Sequence, residues 1–262
     1  KVKRSFARDS LYSHKLVSIS LHKCSDTVLL SHRILPLPEP AFTINDSSQC
    51  VNSQLFSFMS SSPQASINRY EWDFGDQNND TISNPTHLYA LPGIYKVRLV
   101  VESKRACLDT SFVDVEVYPK PNARIAVNNP EQCFNEQDFK FTGLSTIPKG
   151  NLSRYHWNVD SKSFTAGKDT AWRFDQYGSY QIMYVPESDE GCFDTTFQLV
   201  QVNPNPVSAF TINDTLQCSN NNLFVLESTT TIDSGTVKHN WYYDGVYYTS
   251  DSSYNRSFTT PD

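Results

Sequence analysis

Hydrophobic and polar residues alternate with a period of two along much of this chain. The alternation is clear in residues 55–60, 95–99 and 112–117. Successive side chains of a β-strand point to opposite faces, so this pattern predicts strands with one buried face. Turn-forming clusters at 76–80 and 91–93 separate these strands, and no window has the 3.6-residue period of a helix. The pattern therefore predicts an all-β protein built from short strands.

The strand pattern recurs with a fixed period. Trp72, Trp157 and Trp241 are 85 and 84 residues apart. Two cysteine series and one tyrosine series keep the same spacing: Cys24, Cys107 and Cys192; Cys50, Cys133 and Cys218; and Tyr12, Tyr95 and Tyr180. A period of this length indicates one small β-domain copied in tandem.

The period divides the sequence into two complete and two partial repeats. The first complete repeat covers residues 39–119 and the second covers 120–204. Residues 1–38 (the N-terminal partial repeat) match only the C-terminal half of a repeat. Residues 205–262 (the C-terminal partial repeat) match only an N-terminal part. Because the chain begins without Met and stops within a repeat, we expect a segment of a longer polypeptide, whose partial repeats need a neighbour or are frayed.

The number of strands and the tryptophan positions predict the type of domain. About seven short strands in some 85 residues, with one Trp in the third strand, describe an immunoglobulin-like β-sandwich. Tyr95 follows a Pro-Gly turn and Tyr180 follows Gly178. Both tyrosines are placed for a tyrosine corner at the start of the sixth strand.

Composition narrows the class of protein further. Hydrophobic residues make up 38% and aromatic residues 13%, enough for one core in each repeat. The net charge is −6 and the basic run at residues 1–4 is short, so we expect no nucleic-acid partner. No apolar stretch approaches about 18 residues, so we expect no membrane insertion. Six cysteines in step with the repeat, without metal-ligand spacing, predict disulfides and an extracellular location.

The first complete repeat carries motifs of a known family. Residues 70–76 are Tyr-Glu-Trp-Asp-Phe-Gly-Asp, residues 85–89 are Pro-Thr-His-Leu-Tyr, and residues 92–99 are Pro-Gly-Ile-Tyr-Lys-Val-Arg-Leu. These motifs resemble the polycystic-kidney-disease (PKD) domain over nearly the whole of 39–119. The resemblance implies tandem PKD-type immunoglobulin-like sandwiches in an extended array.

The other repeats depart from the family pattern. In the second complete repeat, Asn158-Val159-Asp160 follows Trp157, and 172–174 replaces His-x-Tyr, which puts any family ligand site there in doubt. The C-terminal partial repeat keeps Trp-Tyr-Tyr-Asp-Gly at 241–245. The recurring Cys-x-Asp-Thr element resembles repeats of giant surface adhesins and gliding-motility proteins in bacteria with type IX secretion.

The cysteine positions leave the disulfide pairing open. Intradomain pairs, Cys50 with Cys107 and Cys133 with Cys192, would follow the antibody pattern. However, Cys107 lies twelve residues after Tyr95, which places the two sulfurs at opposite poles, about 25–30 Å apart instead of the roughly 4.4–6.8 Å between bonded Cα atoms. Pairs 26 residues apart fail for the same reason.

Neighbouring domains bring opposite poles together if they are arranged end to end. We therefore hypothesise an inter-repeat disulfide between Cys50 and Cys192, with the partners of the other four cysteines outside this sequence or in the missing halves. The intradomain pairs remain the alternative, because a shift in the strand assignment would restore them.

Other candidate sites each have a structural alternative. Asp73 and Asp76 are candidate calcium ligands, although Asx hydrogen bonds that close a turn account for them too. Apart from calcium we expect no cofactor. Asp-Ser/Thr triplets resemble bacterial O-glycosylation acceptors, with ordinary turn chemistry as the alternative. The candidate acceptors are Ser10, Thr27, Thr81, Thr170, Thr195 and Thr215.

Aromatic residues near the C-terminus are candidate glycan contacts. They are Trp241, Tyr242, Tyr243, Tyr247 and Tyr248, and half of them are expected in the core because the strands alternate. No nucleophile elbow, zinc-protease motif or phosphate loop is present in the sequence, so we expect no catalysis.

Together these features predict a non-catalytic structural or adhesive segment of a large secreted or cell-surface bacterial protein. Pro-rich junctions at 36–38, 119–121 and 204–206 favour a semi-rigid stalk or filament, because Pro fixes φ. The expected partners are neighbouring domains of the same polypeptide, other surface or filament proteins, or a glycan surface. The alternatives are an accessory region of a secreted hydrolase and a direct glycan- or protein-binding module.

Overall fold

A computed structural model describes residues 10–63 and 67–258. Within these ranges the regular structure consists of 23 β-strands, and the helical content is a single 3-10 turn at Phe134–Glu136. The all-β class predicted by the alternation is confirmed. Two compact units are present. One takes in the described residues up to Lys120 together with Glu190–Cys192, and the other takes in Pro121–Asp189 and the residues from Phe193 onward.

The N-terminal partial repeat is an antiparallel hairpin. Its strands are β1 (Ser10–Ile19) and β2 (Ser25–Ile34), and Tyr12 lies opposite His32 in the register. Leu16, Val28 and Leu30 share one face of the hairpin, yet they and most other side chains of the two strands are exposed. The hairpin therefore has an apolar face without a second sheet over it among the described residues.

The first complete repeat is a two-sheet sandwich. The sheet orders are β3-β5-β8 and β4-β10-β9-β6-β7, and β4 is parallel to β10 while the other neighbours are antiparallel. The strands are β3 (Phe42–Ile44), β4 (Ser48–Cys50), β5 (Phe56–Ser60), β6 (Ile67–Asp73), β7 (Asn79–Asp80), β8 (Thr86–His87), β9 (Gly93–Ser103) and β10 (Leu108–Tyr118).

A single aromatic-rich core joins these two sheets. Trp72, Phe56, Leu99, Val97 and Val101 are fully buried, as alternation with one inward face requires. The sequence assigns residues 76–80 to a turn, whereas Asn79 and Asp80 pair with Asp73 and Trp72 as a two-residue strand. A strand of two residues is too short to show alternation.

The second complete repeat repeats this plan. Its sheets are ordered β11-β13-β16 and β12-β18-β17-β14-β15, over a core that includes Trp157, Phe139 and Tyr184. The strands are β11 (Ile125–Val127), β12 (Glu131–Cys133), β13 (Phe139–Gly143), β14 (Leu152–Val159), β15 (Lys162–Ala166), β16 (Asp169–Trp172), β17 (Gly178–Ser188) and β18 (Thr196–Asn203).

The C-terminal partial repeat has the first strands of the same plan. Its sheets are ordered β19-β20-β23 and β21-β22. The strands are β19 (Phe210–Ile212), β20 (Phe224–Ser228), β21 (Trp241–Tyr243), β22 (Val246–Thr249) and β23 (Ser253–Arg256). Up to residue 258, equivalents of β17 and β18 do not occur in this repeat.

A side-chain amide network recurs in the three repeats and was not anticipated from the sequence. In the first complete repeat, Asn45 accepts from Ser57 N at 2.9 Å and donates to Leu55 O at 2.9 Å, while Gln49 Oε1 accepts from Leu55 N at 2.7 Å. The same bonds are made by Asn128 with Gln132 and by Asn213 with Gln217. The sequence feature that could have predicted this network is an Asn four residues before the Gln of each Gln-Cys pair.

The predicted tyrosine corners are confirmed. Tyr95 Oη donates to Leu91 O at 2.8 Å, and Tyr180 Oη donates to Gln176 O at 2.9 Å. Each bond ties the start of a long strand to the preceding turn. The residues that lead into β9 and β17 are thereby held in the same way in both complete repeats.

Candidate functional site

The carboxylates of Asp73 and Asp76 are engaged within their own turn. Asp73 Oδ1 accepts from Gly75 N at 3.0 Å, and its Oδ2 lies 3.4 Å from Arg98 Nη2. Asp76 Oδ1 accepts from Asn78 N at 3.1 Å, while its Oδ2 contacts Asn78 Nδ2 at 3.0 Å and His87 Nε2 at 2.8 Å. All four carboxylate oxygens thus have partners within the protein. The bonds from Gly75 N and Asn78 N to the Oδ1 atoms are those of Asx turns.

His87 locks this turn onto the sandwich. Its ring stacks on Phe74 with a centroid distance of 4.2 Å and meets Tyr89 edge-on at 4.6 Å. Burial raises the pKa of the Asp76 carboxyl, but the hydrogen bonds from His87 and Asn78 outweigh it, so the pKa lies below its ordinary value. Across 10–63 and 67–258, no group of three or more His, Cys, Asp or Glu side chains is placed to hold a metal ion.

A disulfide joins Cys50 to Cys192, which are 142 positions apart in sequence, with 5.5 Å between their Cα atoms. This is the pair that the inter-repeat hypothesis named. Cys50 ends β4, beside Tyr118 in the parallel register with β10. Cys192 lies in the turn between β17 and β18, and its side chain is buried.

The intradomain alternatives are not formed, because Cys107 and Cys133 are free thiols. Cys107 lies eleven residues from Tyr118, near the opposite end of β10, or about 36 Å at ~3.3 Å per residue. Cys133 pairs in register with Asn203 at the end of β18, whereas Cys192 precedes the start of that strand. The length of the strands keeps both pairs apart.

The candidate glycosylation residues are mostly exposed. Ser10, Thr27, Thr81, Thr195 and Thr215 are exposed, whereas Thr170 is half-buried opposite Phe141 in the β13–β16 register. In several triplets the Asp closes a local turn. Asp80 Oδ1 accepts from Ile82 N at 3.0 Å, and Asp214 Oδ1 accepts from Leu216 N at 2.9 Å. Turn chemistry therefore accounts for these aspartates, and glycosylation of the neighbouring hydroxyls stays a prediction.

The C-terminal aromatic residues divide between two faces. Tyr242 and Tyr247 face outward, 62% and 52% exposed, with ring centroids 5.7 Å apart. On the other face, Tyr243 and Tyr248 pack against the Arg256 guanidinium, which lies 4.0 and 4.7 Å from their ring centroids. Of the five candidate glycan contacts, Tyr243 and Tyr248 thus belong to the inner face of the sheet, and Trp241 packs edge-on against Phe210.

In the part of the chain that the structure describes, no helix has the length and hydrophobicity needed to cross a membrane.

The chain contains two-sheet β-sandwiches in tandem, and both complete repeats have a tyrosine corner. These features define the class of the protein: a tandem of immunoglobulin-like domains. A family model described as "PKD domain" matches residues 37–117, which include most of the first complete repeat.

Relatives of established name share part of this sequence. "Collagenase ColQ1" of Bacillus cereus (strain Q1) is 33% identical over 101 residues, or 38% of this chain and 10% of the relative. "Collagenase ColA" of Clostridium perfringens is 27% identical over 134 residues, or 47% of this chain and 12% of the relative. The chain therefore spans only about a tenth of the length of these relatives.

Among solved structures, the PKD1 domain of the Vibrio cholerae metalloprotease PrtV is similar. The two share 23% sequence identity with a TM-score of 0.28, and the match covers 32% of this chain and 96% of the Vibrio domain.

Proposed function

We propose that this chain is a non-catalytic spacer of tandem PKD-type sandwiches in a secreted or cell-surface bacterial protein. The observation that carries the proposal is the Cys50–Cys192 disulfide, which connects one complete repeat to a turn of the next. A covalent bond of this kind limits how far the chain extends under tension. The finer role, a stalk in an adhesin of bacteria with type IX secretion, rests on the recurring Cys-x-Asp-Thr element.

Force spectroscopy on the full chain, held at its two ends, tests the proposal. In the oxidised protein, tension passes through the disulfide and bypasses the stretch of chain between the two cysteines, which are 142 positions apart. Adding reductant should lengthen the fully unfolded chain by about 470–510 Å, at roughly 3.3–3.6 Å per residue. Cys50→Ser should show the long extension without reductant.

Cys133→Ser is the matched control, because Cys133 occupies the position of Cys50 in the second complete repeat and is a free thiol. It should behave like the wild-type protein. If the oxidised wild-type chain already extends to its full length, the proposed role is wrong. Peptidase or glycosidase turnover by the purified chain would contradict the non-catalytic part.

A second candidate function is an accessory region of a secreted hydrolase that engages an insoluble polymer. It is supported by the two matches to collagenases. Cosedimentation of the full chain with insoluble collagen and with crystalline polysaccharide tests it. Replacing the outward-facing Tyr242 and Tyr247 by Ala should reduce binding at least tenfold, whereas Phe112→Ala, an exposed aromatic on the first complete repeat, should not. Equal binding by all three proteins would reject this surface.

A further inference from the structure

The Cys-x-Asp-Thr element has a structural role in the second complete repeat. There it reads Cys192-Phe193-Asp194-Thr195 and belongs to the Cys192 turn (residues 189–195), which joins β17 to β18. Asp194 Oδ2 accepts a partly buried hydrogen bond from the backbone N–H of Ala123 at 3.1 Å. Ala123 lies 71 positions earlier, just before β11. Asp194 therefore ties the Cys192 turn to the start of its own repeat.

The other flank of the Cys192 turn is anchored as well. Asp189 N donates to Asn151 O at 3.0 Å, and Asn151 N donates to Asp189 Oδ1 at 3.3 Å. Phe193 forms an isolated antiparallel bridge with Glu187 near the end of β17. These bonds hold the turn to β17 and to the residue before β14, whereas the bond from Ala123 sets its position relative to the start of the repeat.

The first complete repeat carries the same element without this donor. By register, Phe42 of β3 and Ile125 of β11 occupy equivalent positions, each opposite the last residue of the neighbouring strand. Pro40 therefore occupies the position of Ala123, and proline has no backbone N–H to donate. Asp109, the Asp of the element in that repeat, thus has no equivalent donor at this position.

Cys50 is held at the end of the first complete repeat. It is the last residue of β4 and lies beside Tyr118 in the parallel register with β10. The next residue, Val51, donates from its backbone N–H to Tyr118 O at 2.9 Å. On the other side, Gln49 Oε1 accepts from Leu55 N at 2.7 Å. Cys50 is thus fixed next to the last residue of β10.

A short connection separates the two anchored points in sequence. Tyr118 and Ala123 are five positions apart, so the chain between them spans at most about 16–18 Å when fully extended. A thiol that is anchored at Ala123 therefore stays within a small volume around Cys50. A small volume means a high effective concentration of one thiol around the other. Loss of the bond from Asp194 lets the Cys192 turn move away from Ala123 and lowers that concentration.

We propose that Asp194 is a positioning residue for the Cys50–Cys192 disulfide. By accepting from Ala123 N–H, it holds the Cys192 turn where the two sulfurs meet. This inference rests on the proposed spacer function, because it concerns the bond that carries that function. It also gives the recurring element a role in this repeat: the Cys supplies the sulfur and the Asp directs the turn.

The disulfide forms by oxidation of the two thiols. The cysteine pair transfers two electrons to a small-molecule disulfide such as oxidised glutathione, and the two thiol protons end on the two glutathione thiols that are released. A mixed disulfide between one cysteine and glutathione forms first, and the thiolate of the second cysteine then displaces glutathione. This second step requires the approach of the two cysteines, so it is the step that Asp194 favours.

The test measures this reaction in the full chain at fixed ratios of reduced to oxidised glutathione. Samples are quenched by alkylation, and peptide mapping gives the fraction in which Cys50 is linked to Cys192. We expect Asp194→Ala to lower the equilibrium constant for this bond at least about fivefold, because a hydrogen bond to a charged group is lost. Asp194→Asn keeps a side-chain carbonyl that accepts from Ala123 N–H, so its constant should stay within about twofold of wild type.

Ala123→Pro removes the donor of the same bond, and Pro40 shows that this position of the repeat accepts proline. Ala123→Pro should lower the equilibrium constant as much as Asp194→Ala does. The double variant should be no worse than either single variant, because both changes remove one interaction. Asp109→Ala changes the same position of the element in the first complete repeat. It is the matched control and should leave the constant unchanged.

Hydrogen exchange of β14 and β17 in the reduced proteins reports whether the second complete repeat stays folded, and we expect each variant to retain its protection. An unchanged equilibrium constant in Asp194→Ala overturns the inference and leaves the spacer function standing. Loss of protection throughout β14 and β17 has the same consequence, because Asp194 would then hold the whole repeat. Absence of the Cys50–Cys192 bond from the wild-type protein would instead overturn the spacer function, and this inference with it.

Discussion

Asp76 shows how one side chain holds the turn between β6 and β7 in the first complete repeat. Its carboxylate accepts hydrogen bonds from Asn78 and from His87, and the His87 ring in turn stacks on Phe74. The Phe and the second Asp of the Trp-Asp-Phe-Gly-Asp motif thus have a structural role in this turn. In the second complete repeat the Asp-Phe-Gly-Asp part is lost, and β14 pairs directly with β15 through Val159 and Lys162.

Replacing Asp76 by Asn should destabilise the first complete repeat in a pH-dependent way. A carboxyl whose pKa is lowered in the folded state adds stability above its unfolded pKa of about 3.9, and that stability is lost as the pH falls through the lower folded value. We expect a loss of about 1–2 kcal/mol at pH 7 that shrinks below about pH 4.

Urea unfolding followed by hydrogen exchange of β6 and β9 measures this loss. Asp114→Asn, at an exposed position on β10, is the control and should show no such pH dependence. A difference between Asp76→Asn and wild type that stayed constant from pH 7 to pH 3 would contradict the role of the carboxylate.

Gly143 occupies a position in β13 where a larger residue has no room. A Cβ at this position would lie 2.6 Å from Lys168 O and closer still to Tyr184 Oη. Gly143→Ala should therefore cost about 1–3 kcal/mol through overpacking, measured as a lower urea midpoint for the second complete repeat. Gly167→Ala is the control, because its nearest neighbour would be 3.8 Å away. Similar urea midpoints for the two variants would show that β13 accommodates the added methyl group and would contradict the prediction.

At the scale of elements, recurring amide side chains hydrogen-bond to the backbone next to strands that are too short to be stable through strand pairing alone. Gln54 is buried, donates to Tyr89 O at 2.5 Å and accepts from Tyr89 N at 3.2 Å. Gln137 makes the same pair of bonds to Phe174, and the shorter Asn222 makes it to Phe258. Just after the end of β8, the Gln54 side chain thus makes the two backbone hydrogen bonds to Tyr89 that a neighbouring strand would otherwise make.

Gln54→Leu should loosen this edge of the first complete repeat. Two buried backbone groups of Tyr89 lose their partner, which we expect to cost about 2–4 kcal/mol. Hydrogen exchange measured segment by segment is the appropriate readout, because a chain of several domains need not unfold in two states. Protection should fall in β5, β8 and β9 but not in β13 or β17. Loss of protection in both complete repeats together would mean that they unfold as one.

The sequence predicted these elements unevenly. The eleven-residue strands β9 and β10 contain the alternating segments 95–99 and 112–117, so their inward faces and the tyrosine corner at Tyr95 were predictable. β4 and β7 have three and two residues, and the parallel pairing of β4 with β10 comes from tertiary contacts that no local pattern encodes. The amide network was missed because Asn45 and Gln49 resemble ordinary turn residues.

The candidate sites show the same limit. Spacing along strands favoured the Cys50–Cys192 pair, because strand length is set by residue count, but it left the intradomain pairs open as an alternative. Whether Asp76 binds an ion or closes a turn depends on His87, eleven residues away, whose approach only the folded structure shows. The division of Tyr243 from Tyr242 likewise depended on which face of β21 packs against Arg256 of β23.

At the scale of the whole molecule, the Cys50–Cys192 bond predicts how the chain responds to cleavage. Lys104 and Arg105 are exposed in the turn between β9 and β10, within the loop that the bond closes. Brief trypsin treatment there should give pieces that migrate together on denaturing gels until reductant is added. In Cys50→Ser they should separate at once.

Cleavage at Lys23, in the turn between β1 and β2 and outside that loop, is the control and should release a fragment in both proteins. If cutting at 104 or 105 released fragments from the oxidised wild-type chain, the bond would be absent in solution.

Tolerance of a single break follows from that closed loop. Between Cys50 and Cys192 the polypeptide has two parallel covalent routes, so severing the molecule there demands hydrolysis and reduction together. Where proteases are present and reductants are not, the second event is rare. A single cleavage of the backbone between these two cysteines therefore leaves the resulting pieces covalently joined.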